Sequence, residues 1–137
     1  MTSRQKKALI AIVDDDALIR RSLNRLLWAR GYDAMTYASG YEFLQTVETM
    51  RALEVDCVVL DMEMPGLDGL EVQRRLRLLR PDLPVIILSS RYIGRARYAA
   101  LRAGALAFFT KPLHDEIDEF VRVVDAVVSS AKRDEDE

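Results

Sequence analysis

The sequence predicts a single α/β domain of the doubly wound (βα)5 type, in which a five-stranded parallel sheet carries helices on both faces. Five short apolar runs alternate with five longer segments whose apolar residues recur at helical spacing. The runs are continuously apolar, which is typical of parallel strands buried on both faces. A length of 137 residues suits one domain with a substantial core.

The first unit is a strand predicted over residues 8–13, followed by a helix. Its run ALIAIV is apolar throughout, as expected for a buried strand. Asp15 or Asp16 is expected to cap the helix, because a short acidic side chain accepts hydrogen bonds from the first free N–H groups. The helical pattern continues as far as Gly31, a residue type that commonly ends helices.

The second and third units follow the same plan. A weaker strand is predicted over residues 33–37, and Ser39 is expected to open the helix after it. The third strand is predicted over residues 57–61 and ends in a carboxylate, Asp61. A helix is predicted over about residues 67–79.

The last two units complete the sheet. The fourth strand is predicted over residues 85–89, and the helix after it over about residues 93–103, ending at Gly104. The fifth strand is predicted over residues 105–110. The last helix carries an apolar stripe over residues 117–128.

The composition limits the class of protein. Residues 1–7 form a basic N-terminal extension, the domain is predicted over residues 8–128, and residues 129–137 are expected to be a disordered acidic tail. The net charge of −2 argues against a surface for nucleic acid or anionic membrane. No apolar run approaches the roughly 18 residues of a membrane span. Cys57 is the one cysteine, so no internal disulfide can form and a cytoplasmic location is expected.

Polar side chains gather where the predicted strands end, which is the edge of a parallel sheet where functional crevices lie. If the first and third strands are neighbours, Asp14, Asp15 and Asp61 crowd into one pocket. Two carboxylates about 4 Å apart repel by about 4 kcal/mol at an effective dielectric constant of about 20. A divalent cation relieves this repulsion, and oxygen ligands favour Mg²⁺.

The same edge of the sheet favours phosphoryl chemistry. A phosphoryl group in the pocket would contact the metal, the ammonium of Lys111 and the hydroxyl of Ser89. No Cys–His or Ser–His nucleophile pair competes, because His114 is the one histidine and is expected on the surface. The natural acceptor is therefore a carboxylate, and phosphoryl transfer to Asp61 would give an acyl phosphate.

Four motifs resemble those of response-regulator receiver domains in two-component signal transduction. They are IVDDD, LDMEMPGLDGLEV, PVIILSS and GALAFFTKP, and they occur in the family's order and spacing over about residues 8–128. The resemblance implies the sheet order 2-1-3-4-5, with the site where the order reverses. It also implies a signalling switch rather than an enzyme, one that only phosphorylates itself from a donor and slowly dephosphorylates.

The resemblance assigns a role to each motif residue. Asp61 would be both the phospho-acceptor and a Mg²⁺ ligand, Asp15 would bind Mg²⁺ directly, and Asp14 would bind it through water or by positioning. The backbone carbonyl of Glu63 would be a further metal ligand, which leaves the side chain at this position free to vary. Lys111 would contact the phosphoryl oxygens.

The resemblance also implies how a signal leaves the site. Ser89 would be the switch hydroxyl and Phe108 the switch aromatic, and the bond to Pro112 is expected to be cis. Phosphorylation would change the face formed by the fourth helix, fifth strand and fifth helix. The expected partners are a sensor histidine kinase or a histidine phosphotransfer protein and an unknown downstream protein, with no direct binding to nucleic acid and no membrane contact.

Two charge patterns give hypotheses of their own. Glu63 and Arg91 each lie two residues beyond a site residue, so they could pair across the pocket and hinder the hydrolytic water, or they could be solvated surface charges. Basic residues on the fourth helix and acidic residues at the start of the fifth could pair in a phosphorylation-dependent homodimer, or could only solvate these helices.

Three alternatives stay open from the residues. One is a phosphohydrolase of the haloacid-dehalogenase type, which forms an aspartyl phosphate, although here the acidic pair precedes Asp61. Another is a binding module of the same fold that is never phosphorylated. The third is architectural, since the chain could be the receiver part of a longer transcription factor.

Overall fold

The computed structural model describes residues 8–49, 54–90 and 94–136, with side chains described up to residue 130. Strands and helices alternate along these residues. The strands are β1 (Leu9–Val13), β2 (Asp33–Tyr37), β3 (Cys57–Asp61), β4 (Val85–Ser89) and β5 (Ala107–Thr110). The helices are α1 (Ala17–Ala29), α2 (Gly40–Thr49), α3 (Gly69–Leu79), α4 (Gly94–Arg102) and α5 (Ile117–Asp136). All strand pairs are parallel and the order is β2-β1-β3-β4-β5, which confirms the predicted fold.

Side-chain caps fix where the helices begin. Asp16 caps α1 by accepting a hydrogen bond from Leu18 N, so of the two predicted caps Asp16 fills the position. Asp68 accepts from Glu71 N at 2.9 Å, and α3 therefore begins two residues later than predicted. Ser39 opens α2 as expected, because its Oγ accepts from Glu42 N at 3.1 Å.

Further boundaries differ from the prediction, among them the start of β5 and the end of α5. β5 begins at Ala107 rather than at residue 105, because Ala105 N still donates to Ala100 O at 3.0 Å in the turn that leaves α4. The disorder predicted over residues 129–137 remains a prediction, and α5 continues to Asp136 within that segment. Its last turns are rich in good helix formers, and extending a helix costs far less than nucleating one. The predicted extension over residues 1–7 lies outside the described residues.

The core consists of two apolar layers, one on each face of the sheet. Val58 and Leu60 belong to the layer under α2, α3 and α4, whereas Cys57 and Val59 belong to the layer under α1 and α5. This division follows from the alternation of side chains along a strand. Burial raises the pKa of the Cys57 thiol to about 12, as expected for a packed rather than a reactive cysteine.

Gly69 allows α3 to start against the end of β3. A Cβ atom at this position would lie 2.4 Å from the carbonyl oxygen of Asp61 and 2.7 Å from the Cα atom of Met62. Both are backbone atoms, so the clash cannot be relieved by a rotamer change. We expect Gly69→Ala to lower the free energy of unfolding, measured in urea, by about 1–3 kcal/mol.

Gly94 at the start of α4 provides the matched control. A Cβ atom there would meet no heavy atom within 4 Å among the described residues. We expect Gly94→Ala to leave the free energy of unfolding unchanged or slightly raised, because alanine favours helix. Equal urea midpoints for Gly69→Ala and the wild type would contradict the close approach of α3 to β3.

Candidate functional site

The sheet order brings three acidic residues together at the carboxyl ends of β1 and β3. These strands are adjacent, with Val13 opposite Leu60, so the residues that follow lie side by side. Oxygen atoms of Asp14, Asp15 and Asp61 all lie within 4.8 Å of one another. Asp14 and Asp61 are each only 2% exposed, whereas Asp15 is exposed. The acidic cluster formed by these three residues is where the sequence predicts it.

Lys111 lies between the two buried carboxylates. Its Nζ is 2.8 Å from Asp14 Oδ2 and 2.9 Å from Asp61 Oδ1. The end of β5 positions it, because Lys111 N donates to Ser89 O at 2.8 Å. The Lys111–Pro112 bond is cis, which confirms the expectation. One ammonium thus pairs with two buried carboxylates.

Burial and neighbouring charges change the pKa values of Asp61 and Lys111. Burial raises the pKa of Asp61 to about 7, with Lys111 opposing the rise and Asp14 adding to it. For Lys111, burial alone would lower the pKa, but its hydrogen bonds to Asp14 and Asp61 outweigh burial and the net direction is upward. A single lysine therefore leaves the acidic cluster short of positive charge.

The side chains present fit a hard divalent cation. Asp61 Oδ2 is buried and accepts no hydrogen bond from the described residues. A buried carboxylate oxygen without a partner is costly, and metal coordination removes that cost. Glu63 N donates to Asp61 Oδ1 at 3.2 Å, which places residue 63 beside the cluster. Its carbonyl as a metal ligand remains a prediction.

The two residues predicted to transmit a signal lie on the adjacent strands β4 and β5. Ser89 is fully buried at the end of β4, and its Oγ donates to Glu63 Oε1 at 2.7 Å. Phe108 is half-buried and packs against the apolar layer under α2, α3 and α4. Phe108 therefore lies beside the core, and its role as the switch aromatic remains a prediction.

The carboxylate of Glu63 has contacts that the sequence did not reveal. Besides Ser89, Ser90 Oγ donates to Glu63 Oε1 at 3.0 Å. The prediction that the side chain at position 63 is free to vary does not account for these two hydrogen bonds. Arg91 lies outside the described residues, so its predicted pairing with Glu63 remains a prediction.

Comparison with known proteins decides the family. Residues 10–124 match the family described as the response regulator receiver domain. The chain belongs to this family. The receiver domain is 34% identical over 133 residues to nodulation protein W of Bradyrhizobium diazoefficiens and 38% identical over 128 residues to the response regulator MprA of Mycobacterium ulcerans. These matches cover 97% and 93% of the chain but 55% and 53% of the relatives, so the chain spans about half the length of the curated relatives it matches.

Solved structures similar to this chain support the same family. The receiver domain is similar to a response regulator receiver protein from Burkholderia phymatum, with 41% identity, a TM-score of 0.79, and coverage of 90% of this chain and 96% of the other. It also resembles a chain in the CheX-CheY-BeF3-Mg+2 complex from Borrelia burgdorferi, with a TM-score of 0.79 and coverage of 88% of this chain and 89% of the other. At 24% identity, that likeness supports the fold alone.

The family membership makes this a receiver domain of a two-component response regulator, suited to signalling rather than to metabolic catalysis. The comparisons do not favour the phosphohydrolase alternative. Over the part of the chain that the structure describes, none of the helices has the length and apolar character needed to cross a membrane.

Proposed function

We propose that this receiver domain accepts a phosphoryl group on Asp61 in the presence of Mg²⁺ and so switches its surface for a protein partner. The observation that carries the proposal is the setting of the Asp61 carboxylate. One oxygen lies 2.9 Å from Lys111 Nζ, and the other is buried with no partner among the described residues. An oxygen held in this way is available as a nucleophile next to a cation site.

Each residue of the cluster has a distinct part in the transfer. An oxygen of Asp61 attacks the donor's phosphorus, the bond from phosphorus to the donor's leaving group breaks, and an acyl phosphate forms. Asp14, Asp15, Asp61 and the carbonyl of Glu63 would hold Mg²⁺, which would neutralise charge on the phosphoryl oxygens. Lys111 moves from its two carboxylates toward the same oxygens.

Hydrogen bonds to its backbone and its side chain hold Asp14 in place for this task. Its N–H donates to Tyr37 O at 3.1 Å, and its carbonyl accepts from Arg20 Nη1 at 2.7 Å. Asp14 Oδ1 also accepts from Asp16 N at 2.9 Å. The acid at the end of β1 is thus fixed before a metal arrives, which reduces the entropy lost on binding.

Phosphorylation adds a charge of about −1.5 to −2 and strong acceptor oxygens at Asp61. These attract the Ser89 hydroxyl, and Phe108 turns into the space that the end of β4 vacates. The face formed by α4, β5 and α5 then changes for a downstream partner, after a sensor histidine kinase or a histidine phosphotransfer protein has supplied the phosphoryl group. A phosphorylation-dependent homodimer through this face remains a prediction.

The proposal is tested by incubating the protein with radiolabelled acetyl phosphate. We expect label to appear with Mg²⁺, to be absent with excess EDTA, and to be released by hydroxylamine, which cleaves acyl phosphates. Label that forms equally well in EDTA, or that survives hydroxylamine, would contradict the proposal.

A further inference from the structure

The side chain of Glu63 ties the end of β4 to the loop that follows β3. Ser89 Oγ donates to Glu63 Oε1 at 2.7 Å, and Ser90 Oγ donates to the same oxygen at 3.0 Å. Ser89 is fully buried and Glu63 is half-buried. Hydrogen bonds to an ionised carboxylate are about twice as strong as those between neutral groups. Glu63 therefore fixes where the Ser89 hydroxyl points in the resting protein.

Glu63 is tied to Asp61 as well. Its backbone N–H donates to Asp61 Oδ1 at 3.2 Å. Its carboxylate is directed to the end of β4, and among the described residues the carboxylates grouped closely enough to hold a metal are those of Asp14, Asp15 and Asp61. Residue 63 thus links the predicted acceptor to Ser89 through two separate hydrogen bonds.

Building on the proposed function, we propose that Glu63 is a positioning residue that restrains the switch. A hydroxyl has one proton to donate, so Ser89 donates either to Glu63 or to a phosphoryl oxygen. A phosphoryl group on Asp61 must draw this proton away from a charged acceptor. The bond lost at Glu63 offsets part of the bond gained, and the domain switches less readily than it would without this carboxylate.

This role differs from hindrance of the hydrolytic water by Glu63 and Arg91. Hindrance affects how fast the phosphorylated protein decays. Restraint of Ser89 affects how tightly the resting protein binds a phosphoryl group. The restraint also depends only on contacts between residues that the structure describes. An equilibrium measurement therefore separates the two ideas.

Beryllofluoride provides that measurement, because it imitates a phosphoryl group on a carboxylate without chemical turnover. It is titrated into the protein at saturating Mg²⁺, and the bound fraction is followed by fluorine NMR. We expect Glu63→Ala to bind beryllofluoride about tenfold more tightly than the wild type, the scale set by one charge-assisted hydrogen bond. Glu63→Gln is expected to fall between them, because its amide oxygen still accepts but carries no charge.

Repeating the titration in a Ser89→Ala background separates the hydrogen bond from the charge of Glu63. We expect Glu63→Ala to change the affinity by less than about twofold in that background. A tenfold gain that persists without the Ser89 hydroxyl would overturn the proposal, since charge alone would then explain it. Glu48→Ala removes a carboxylate from the exposed face of α2 and is expected to bind as the wild type does.

The outcomes also separate this inference from the proposed function. A wild type that binds no beryllofluoride with Mg²⁺ would contradict the proposed function, and the restraint with it. A wild type that binds it, together with Glu63→Ala that binds it equally well, would contradict the restraint alone.

Discussion

Asp61→Asn is expected to reduce labelling by acetyl phosphate to the background of a sample without the donor. The substitution keeps the size of the side chain, but an amide does not form a stable acyl phosphate. Asp14 and Asp15 lie within 4.8 Å of this position, yet they are expected not to replace the acceptor, because their part is to hold the metal. Phosphorimaging of separated protein, with and without Mg²⁺, provides the measurement.

Loss of folding must not be mistaken for loss of the acceptor. Asp14 and Asp61 are buried and share one ammonium, so removing one of these charges relieves repulsion. We therefore expect metal-free Asp61→Asn to be at least as stable as the wild type in urea. Asp82→Asn, on the exposed side of a surface pair with Arg80, is the control and should label normally. Normal labelling of Asp61→Asn would show that another residue accepts the phosphoryl group.

Lys111→Met is expected to have two effects of opposite sign. The ammonium competes with a cation for Asp14 and Asp61, so we expect its removal to tighten Mg²⁺ binding by about tenfold, measured by calorimetry. Labelling by acetyl phosphate is expected to slow by about 100-fold, because the charge that meets the phosphoryl oxygens is gone.

Lys111→Arg is the matched variant, since it keeps the positive charge. We expect its Mg²⁺ affinity to stay near that of the wild type, while labelling is partly lost because a planar guanidinium does not have the geometry of an ammonium. Weaker Mg²⁺ binding in Lys111→Met than in the wild type would contradict the account, because it would mean that the lysine supports the metal site rather than competing with it.

Much of the fold follows from local patterns in the sequence. The predicted bounds of β2, β3 and β4 agree with the structure, because each is a compact run whose end is marked by polar or turn-forming residues. The extra residues predicted for β5 are apolar too, and periodicity alone does not distinguish a strand from the turn before it. α5 extends beyond the apolar stripe that predicts it, because helical propensity continues where the apolar residues stop.

The acidic cluster was predictable for a topological reason. The carboxyl ends of parallel strands meet at one edge, so Asp14, Asp61 and Lys111 converge although they are far apart in sequence. The hydrogen bond between Glu63 and Ser89 was not predictable in this way. It joins residues 26 apart in the sequence, and it depends on which rotamer the long side chain of Glu63 adopts. The sequence pattern instead suggested Arg91 as the partner of Glu63.

The most direct test of the account is to locate the phosphoryl group after reaction with acetyl phosphate and Mg²⁺. Borohydride reduces an aspartyl phosphate to homoserine, and peptide mass spectrometry then identifies the converted residue. We predict homoserine at position 61 alone, and none when EDTA replaces Mg²⁺. Homoserine at another acidic residue, or none anywhere in a labelled sample, would contradict the claim that Asp61 accepts the phosphoryl group.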